Sequence, residues 1–241
     1  MRHFLTQLWY KISPPPIPPG ADKSLTTKSD YYKQLSRDDQ HKFLQRLAIL
    51  LKFMDFIPNG IPKVTSEMKI IIGSAIIQIT FGFDKFLFKH FRTVYIMPER
   101  YVFRNSDEPF LGHVDFQQRV ICFSWVDVQA GFDVPDDAIN VALHEMAHVW
   151  EMEHRLSEDF QDIFIEKDWK HWQEKAVVVM AEIRNGQHQF LKEYGGKNMK
   201  EMFAVCVEAF FEQPKAFKEN EPELYQRMVK LLRQDPMNGA R

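Results

Sequence analysis

Asn140-Val141-Ala142-Leu143-His144-Glu145-Met146-Ala147-His148-Val149-Trp150-Glu151 is the stretch on which the reading of this chain turns. No Gly or Pro occurs from Asp136 to Glu166, and Asp136 and Asp137 follow Pro135, the composition of a helix start. Residues four apart on a helix differ by about 40° in rotation and roughly 6 Å along the axis. His144 and His148 therefore share a face and can hold one zinc ion. Glu145, one step round, reaches a water on the open side of the metal and can act as general base. A motif this short also arises by chance, so a charged helix face with two solvated histidines is the competing reading. Leu143, Ala147, Val149 and Trp150 weigh against it, because a helix apolar on most sides is buried and buried His and Glu need partners.

At 241 residues, 45% hydrophobic and 27% charged, the chain is one large soluble domain or a domain with appendages. With a net charge of −2 and Lys and Arg spread evenly, it has no nucleic-acid footprint. Cys122 and Cys206 are too few for a disulfide framework or a thiolate zinc site, which points to a reducing compartment. Both sit in apolar runs and read as buried small hydrophobes. The first ten residues lack the long apolar core and small-residue cleavage site of a signal peptide. The most apolar run, Ile70 to Phe83, is broken by Gly73, Ser74, Gln78 and Thr80 and falls short of the ~20 residues that cross a bilayer. No transmembrane segment and a cytoplasmic location are the expectations.

On the N-terminal side, residues 1–12 carry Phe4, Leu5, Leu8, Trp9 and Ile12 at helical spacing, and Pro14 to Gly20 reads as an extended Pro-rich spacer. Residues 1–30 are thus an N-terminal aromatic segment and linker, and the folded domain, residues 31–241, begins near Tyr31-Tyr32. Ser36 with Asp39 resembles a capping box, followed by a helix with Phe43, Leu44, Leu47, Leu50 and Leu51 inward. Met68, Ile71, Ile72, Ala75, Ile76 and Ile79 mark a second helix, apolar nearly all round and internal. Residues 93–97 and 101–103 read as short strands around a Pro98 turn, and Arg119 to Trp125 as the best strand. Asn105 to Gly112 is a loop. Beyond the His144 helix, Glu158 to Phe190 is a long helical stretch whose Val177-Val178-Val179-Met180 block packs inside, and Tyr194-Gly195-Gly196 ends it through a left-handed turn. A helix from about Asn198 to Glu212, ended by Pro214, and a last one with Leu224, Met228, Leu231 and Leu232 complete the chain. The fold class is α+β, mainly helical, with a small mixed sheet ahead of the His144 helix.

Two histidines leave a zinc ion under-coordinated, so a third ligand decides the case. His154 lies ten residues after His144, the metzincin offset, but that pattern needs Gly three residues after its second His, where this chain has Glu151. Glu does not take readily to the left-handed conformation required there. If the helix continues, His154 points about 80° away from His144. The alternative is a carboxylate from the 198–212 helix. Glu201 and Glu208, seven apart, share a face within a segment rich in Phe, Val, Ala and Met, where a carboxylate is costly unless paired or metal-bound. A solvated stripe with Lys200 and Glu212 is the other reading, and sequence physics does not choose between them.

The chain resembles the Mlc titration factor A family of zinc-dependent peptidases. The residues that carry the resemblance are Asn-Val-x-x-His-Glu-x-x-His (Asn140 to His148), Ser-Trp-x-Asp-Val (Ser124 to Val128) and Glu-x-Phe-Ala-Val (Glu201 to Val205), followed by Glu208, Phe210, Phe211 and Pro214. Tyr31-Tyr32 and the segment from Pro62 to Met68 also fit. The likeness covers roughly Tyr31 to the last helix and implies a zincin-like single domain, similar in its catalytic core to the anthrax lethal factor protease domain. It implies one Zn2+ per chain held by His144, His148 and Glu201, with Glu145 as base. It further implies that Tyr194, seven residues before the ligand Glu, donates to the reacting carbonyl oxygen, and that Glu208 accepts from a ligand imidazole. Glu151 stands where the family usually carries Asp, and Met152 to Leu156 replaces an expected Gly-containing loop, which puts the shape of the substrate cleft in question.

The function so implied is hydrolysis of peptide or protein substrates, of the gluzincin type, with an extended substrate pairing along the Arg119 to Trp125 strand. The competing class is a regulatory protein that binds a protein partner, since the family is named for binding a transcriptional repressor. The aromatic N-terminal segment and Pro-rich spacer would serve that role.

Overall fold

Helix-period apolar spacing dominates the chain except around residues 93–124, where β-branched and aromatic residues concentrate, and the fold follows that division. The structure, a computed structural model, describes residue 10 and residues 13–102, 108–156 and 163–238. Most of the aromatic segment at residues 1–12, residues 105–107 of the predicted loop and residues 158–162 of the predicted long helix lie outside these. The first three helices are α1 (Ala21–Lys28), α2 (Asp30–Gln34) and α3 (Arg37–Phe53). Ser36 caps α3 by accepting from the Asp39 amide at 3.2 Å. Strand β1 (Asp55–Pro58) precedes α4 (Ser66–Thr80), whose residues from Ile70 to Thr80 are all buried, as its all-round apolar sequence requires.

Strands β2 (Thr93–Met97), β3 (Gly112–Asp115) and β4 (Val120–Ser124) join β1 in a mixed sheet of order β1-β2-β4-β3. The β1–β2 and β2–β4 pairs are parallel and the β3–β4 pair antiparallel. Helices α5 (Trp125–Asp133) and α6 (Val141–Leu156) follow, then α7 (Glu166–Arg184), a 3-10 turn (Glu193–Gly196), α8 (Met199–Glu212), α9 (Pro214–Asn220) and α10 (Pro222–Leu232). The fold is mainly helical α+β with a small mixed sheet, and α6 packs between α4, α8 and the β3–β4 side of that sheet. No helix among the described residues is long and apolar enough to cross a membrane.

Several expectations need correction. β4 is hydrogen-bonded on both sides, to β2 and β3, so it offers no edge to a substrate; β3 is the edge strand beside α6. Trp125 is helical rather than extended: the Ser124 hydroxyl donates to Asp127 Oδ2 at 2.6 Å, and Arg100 Nη2 donates to the same carboxylate at 2.9 Å, which starts α5 there. Of the strand expected at 101–103, residue 103 lies outside the described residues, and among these Tyr101 forms only an isolated bridge to Phe110. The helix carrying His144 and His148 starts at Val141, not Asp136, because the Asp137 carboxylate accepts from the Ile139 amide at 2.8 Å and holds a local turn, with Ala138 at φ 57°. Asn140 then supplies the cap, accepting from the Leu143 amide at 3.1 Å.

On the C-terminal side, α7 ends at Arg184, ahead of Gly186 at φ 69°. Gly195 and Gly196 have no positive φ; Gly196 is small because a Cβ there would come within 2.9 Å of Ile183 Cγ2. Val179 and Met180 are buried but Val177 and Val178 are exposed, since four successive residues on a helix span every direction. Residues 21–28, placed by composition in the linker, form α1, with Ala21 and Leu25 buried against α4.

Candidate metal centre

Asn140 does more than cap α6. Its backbone amide donates to Glu208 Oε1 at 2.8 Å, and its side-chain amide donates to the Gly131 carbonyl and, at 3.0 Å, to Glu212 Oε1. One residue therefore locks the start of α6 to both carboxylates at the far end of α8. At the near end Asn198 caps α8, accepting from the Lys200 and Glu201 amides, so Glu201 sits in the first turn, where the helix dipole favours a negative charge. Glu201 and Glu208 lie two turns apart on the face of α8 that meets α6.

Between these helices His144 is held at both ring nitrogens: Nε2 stands 3.1 Å from Glu201 Oε2 and Nδ1 3.0 Å from Glu208 Oε2. The His148 ring lies 4.8 Å from that of His144, nearly perpendicular, and its Nε2 is 3.4 Å from the same Glu201 oxygen. Thus His144, His148 and Glu201 converge, each offering a ligand atom within 4.8 Å of the others. His148 Nδ1 is buried with no hydrogen-bond partner among the described residues, so the polar contact of that ring runs through Nε2 toward Glu201.

The electrostatics of this cluster favour positive charge. Burial disfavours a charged His144, yet the hydrogen bonds to Glu201 and Glu208 and the charges of Glu208 and Glu145 outweigh it and raise its pKa to about 10. Glu201 resists burial in the same way and is drawn down to about 2 by both imidazoles. Burial raises the pKa of Glu145, with the Glu201 and Glu208 charges adding to it against the pull of the two histidines. Two imidazoles and one carboxylate, buried or partly buried and mutually close, suit a divalent ion such as zinc with an open fourth position. The donor set fits a metal.

The chain belongs to the glucose-regulated metallo-peptidase M90 family, whose model matches residues 5–233. A metallopeptidase family implies a metal cofactor, in keeping with this donor set. The chain is 22% identical, over 92% of its length and 86% of the relative's, to an uncharacterized protein of Synechocystis sp.. It is 28% identical over 167 residues to the Mlc titration factor A of Salmonella arizonae, covering 63% of this chain and 66% of that one. The match to the Salmonella paratyphi B protein of the same name covers 63% and 62%. The chain thus spans just under two thirds of the Mlc titration factor A proteins it matches.

Around the donors of this M90 member lies a cleft of about 500 Å³, lined by Phe110, Gly112, Ile139, Val141, Glu145 and Tyr194 among others. Tyr194 is 44% exposed, with its ring 5.9 Å from that of His144 and the Lys197 ammonium 3.8 Å from its centre. Its pKa is raised by partial burial and then by the Glu201 and Glu145 charges. Edge strand β3 meets α6 closely: a Cβ on Gly112 would fall 2.9 Å from Glu145 Cγ.

His154 is not part of the cluster. α6 continues straight through it, and its ring is buried 5.0 Å from that of Phe164. Glu151, buried, accepts from Arg155 Nε at 2.8 Å, while Glu153 accepts from the His90 and Phe91 amides at 2.6 and 3.0 Å. The unusual run after the second histidine is therefore knitted into the fold. Sequence reasoning missed the bridging role of Asn140 and the presence of Lys192, whose ammonium donates to the Ala138 carbonyl and lies 3.9 Å from Glu208. Asn before an apolar helical run is a capping signal that could have found the first; nothing local marks the second.

Proposed function

We propose that this chain is a zinc-dependent peptidase that hydrolyses peptide bonds with Glu145 as general base, His144, His148 and Glu201 holding one zinc ion. The observation that carries the proposal is the Glu201 carboxylate, brought by α8 from 57 positions away to stand against both imidazoles of the α6 motif. When bound, the ion supplies Lewis acidity, lowering the pKa of a water toward about 7 and polarising the scissile carbonyl.

The remaining steps belong to the chain. The Glu208 carboxylate takes the Nδ1–H of His144, which fixes the tautomer that leaves Nε2 free to bind metal. Glu145, its basicity raised by burial, accepts the water proton and returns it to the leaving amine. Tyr194 donates to the oxyanion from across the cleft. An extended peptide adds to the edge of β3 that no described strand pairs with. Residues 31–241 form the peptidase domain in this reading, with α1 of the preceding segment packed onto it, and the chain acts in the cytoplasm.

The test is zinc content and chelator-sensitive peptide cleavage by purified protein. Glu145→Gln should keep zinc and lose on the order of a hundredfold or more in rate; Glu201→Ala should lose zinc. Full activity of the first variant, or undiminished zinc affinity of the second, would end the proposal. A second reading, binding of a transcriptional repressor or another protein partner, is favoured by the name Mlc titration factor A carried by the relatives. It predicts zinc-loaded protein that cleaves no peptide.

A further inference from the structure

A second cluster shares no residue with the centre between α6 and α8. Glu182 in the last turn of α7, His188 in the segment that follows and Glu221 between α9 and α10 each offer a ligand atom within 4.8 Å of the others. The His188 side chain is only 6% exposed, yet its Nδ1 lies 3.6 Å from Glu221 Oε1 and 3.9 Å from Glu182 Oε2. Both separations exceed hydrogen-bond reach. Its Nε2 is buried with no hydrogen-bond partner among the described residues. A histidine so far removed from water is costly unless its nitrogens are satisfied, and Nδ1 is the one that faces the two carboxylates.

The gap has the size of an ion. A divalent metal with bonds of about 2.0–2.2 Å holds tetrahedral ligand atoms roughly 3.3–3.6 Å apart, within a small side-chain adjustment of the spacing here. Lys175 is the one cation reaching in among the described residues, 3.4 Å from Glu221 Oε2, and it leaves Oε1 facing the imidazole. A cavity of about 430 Å³ opens beside the three residues, with Gln187, Gln189 and Asn220 on its wall, so space and amide oxygens remain for further ligands. One imidazole with two carboxylates suits zinc or a neighbouring first-row ion better than calcium or copper(I).

We propose that Glu182, His188 and Glu221 bind a second divalent transition-metal ion that ties residues 185–192 to the junction of α9 and α10. This segment runs directly into Lys192 and Tyr194, so the ion braces the chain that approaches the cleft. The proposal does not depend on the peptidase reading.

Zinc content is the test, measured on the full chain equilibrated with zinc in a large excess of magnesium. Wild type should hold two zinc ions per chain. His188→Gln and Glu182→Gln should each hold one, and Glu201→Ala should lose the other and keep this one. Amide hydrogen exchange across residues 185–192 should slow on zinc addition in wild type and Glu201→Ala but not in His188→Gln, a readout independent of activity. A folded wild type whose zinc content is lowered by neither His188→Gln nor Glu182→Gln would overturn the proposal. Failure of the α6–α8 reading would show instead as Glu201→Ala retaining its full zinc content.

Discussion

Replacing Glu208 by Gln keeps the shape of the side chain and removes its charge, and the surrounding bonds set what that costs. In the wild type the carboxylate serves two donors at once, the Asn140 amide at 2.8 Å and His144 Nδ1 at 3.0 Å, with Lys192 3.9 Å away. A glutamine has one oxygen, so it can serve only one of them and must turn its own N–H groups on the other. The donor left over is buried, which costs about 1–3 kcal/mol. If His144 is the one abandoned, its tautomer is no longer fixed and zinc binding should weaken about 10–100-fold, or roughly 1.4–2.8 kcal/mol. If the Asn140 amide is abandoned, the start of α6 is weakened and the cost appears as a fall in Tm of about 2–4 °C per kcal/mol. Competition against a chromophoric zinc chelator, run beside thermal melts of the zinc-free protein, reads both. A folded Glu208→Gln protein with wild-type zinc affinity and wild-type Tm would refute the assignment of Glu208 as the group that orients His144.

Other expectations follow from the same geometry. Glu212 is pushed up to about 8 by burial, with the Glu208 and Asp137 charges adding to it against the Asn140 hydrogen bond. Its folded form therefore binds a proton more tightly than the unfolded chain, a contribution complete below pH 4.5 and lost as pH rises to about 8. Glu212→Gln should gain stability relative to wild type across that window, and a pH-independent difference in Tm would contradict this. Tyr194→Phe should lower kcat about 100–1,000-fold with zinc content and KM little changed, as removal of one oxyanion donor does; steady-state kinetics showing full kcat would remove Tyr194 from the mechanism. Gly82→Ala would put a Cβ 2.3 Å from the Leu232 carbonyl oxygen and 2.4 Å from that of Arg233, both backbone. It should cost about 1–3 kcal/mol or more, read as a fall in Tm, and an unchanged melting point would deny that close approach.

The parts of this fold legible in the sequence are those where one period governs a long run. α4 is apolar in every direction and is buried in every direction, and the inward stripes of α3 and α10 were visible residue by residue. The sharing of a face by Glu201 and Glu208 needed only helix geometry. Whether that face met α6 or solvent depended on the packing of α8, which no local pattern encodes; in the structure it meets α6. Boundaries failed where a short polar side chain competes with the backbone. Asp137 looks like a helix cap and instead closes its own turn, while Ser124 and Asp127 turn a strand end into a helix start. The strand richest in β-formers proved to be interior, as its composition ought to have suggested, and the exposed edge fell to Gly112–Asp115, which has little strand character.

Charge balance explains why these two helices must meet. Glu145 and Glu208 are buried and Glu201 is largely covered, while the Lys192 ammonium lies 3.9 Å from Glu208. Burying that much negative charge in an apolar interface is unfavourable unless positive charge joins it. Without metal, the least costly supply is a proton on His144, which is why its pKa rises to about 10 in spite of burial. His144 Nε2 faces Glu201, so a divalent ion entering there displaces one positive charge and brings two. Two histidines alone on α6 would hold such an ion weakly and would be stable neutral without it. The carboxylates of α8 reverse that preference, turning a pair of helical histidines into a site that is electrostatically incomplete until a cation fills it.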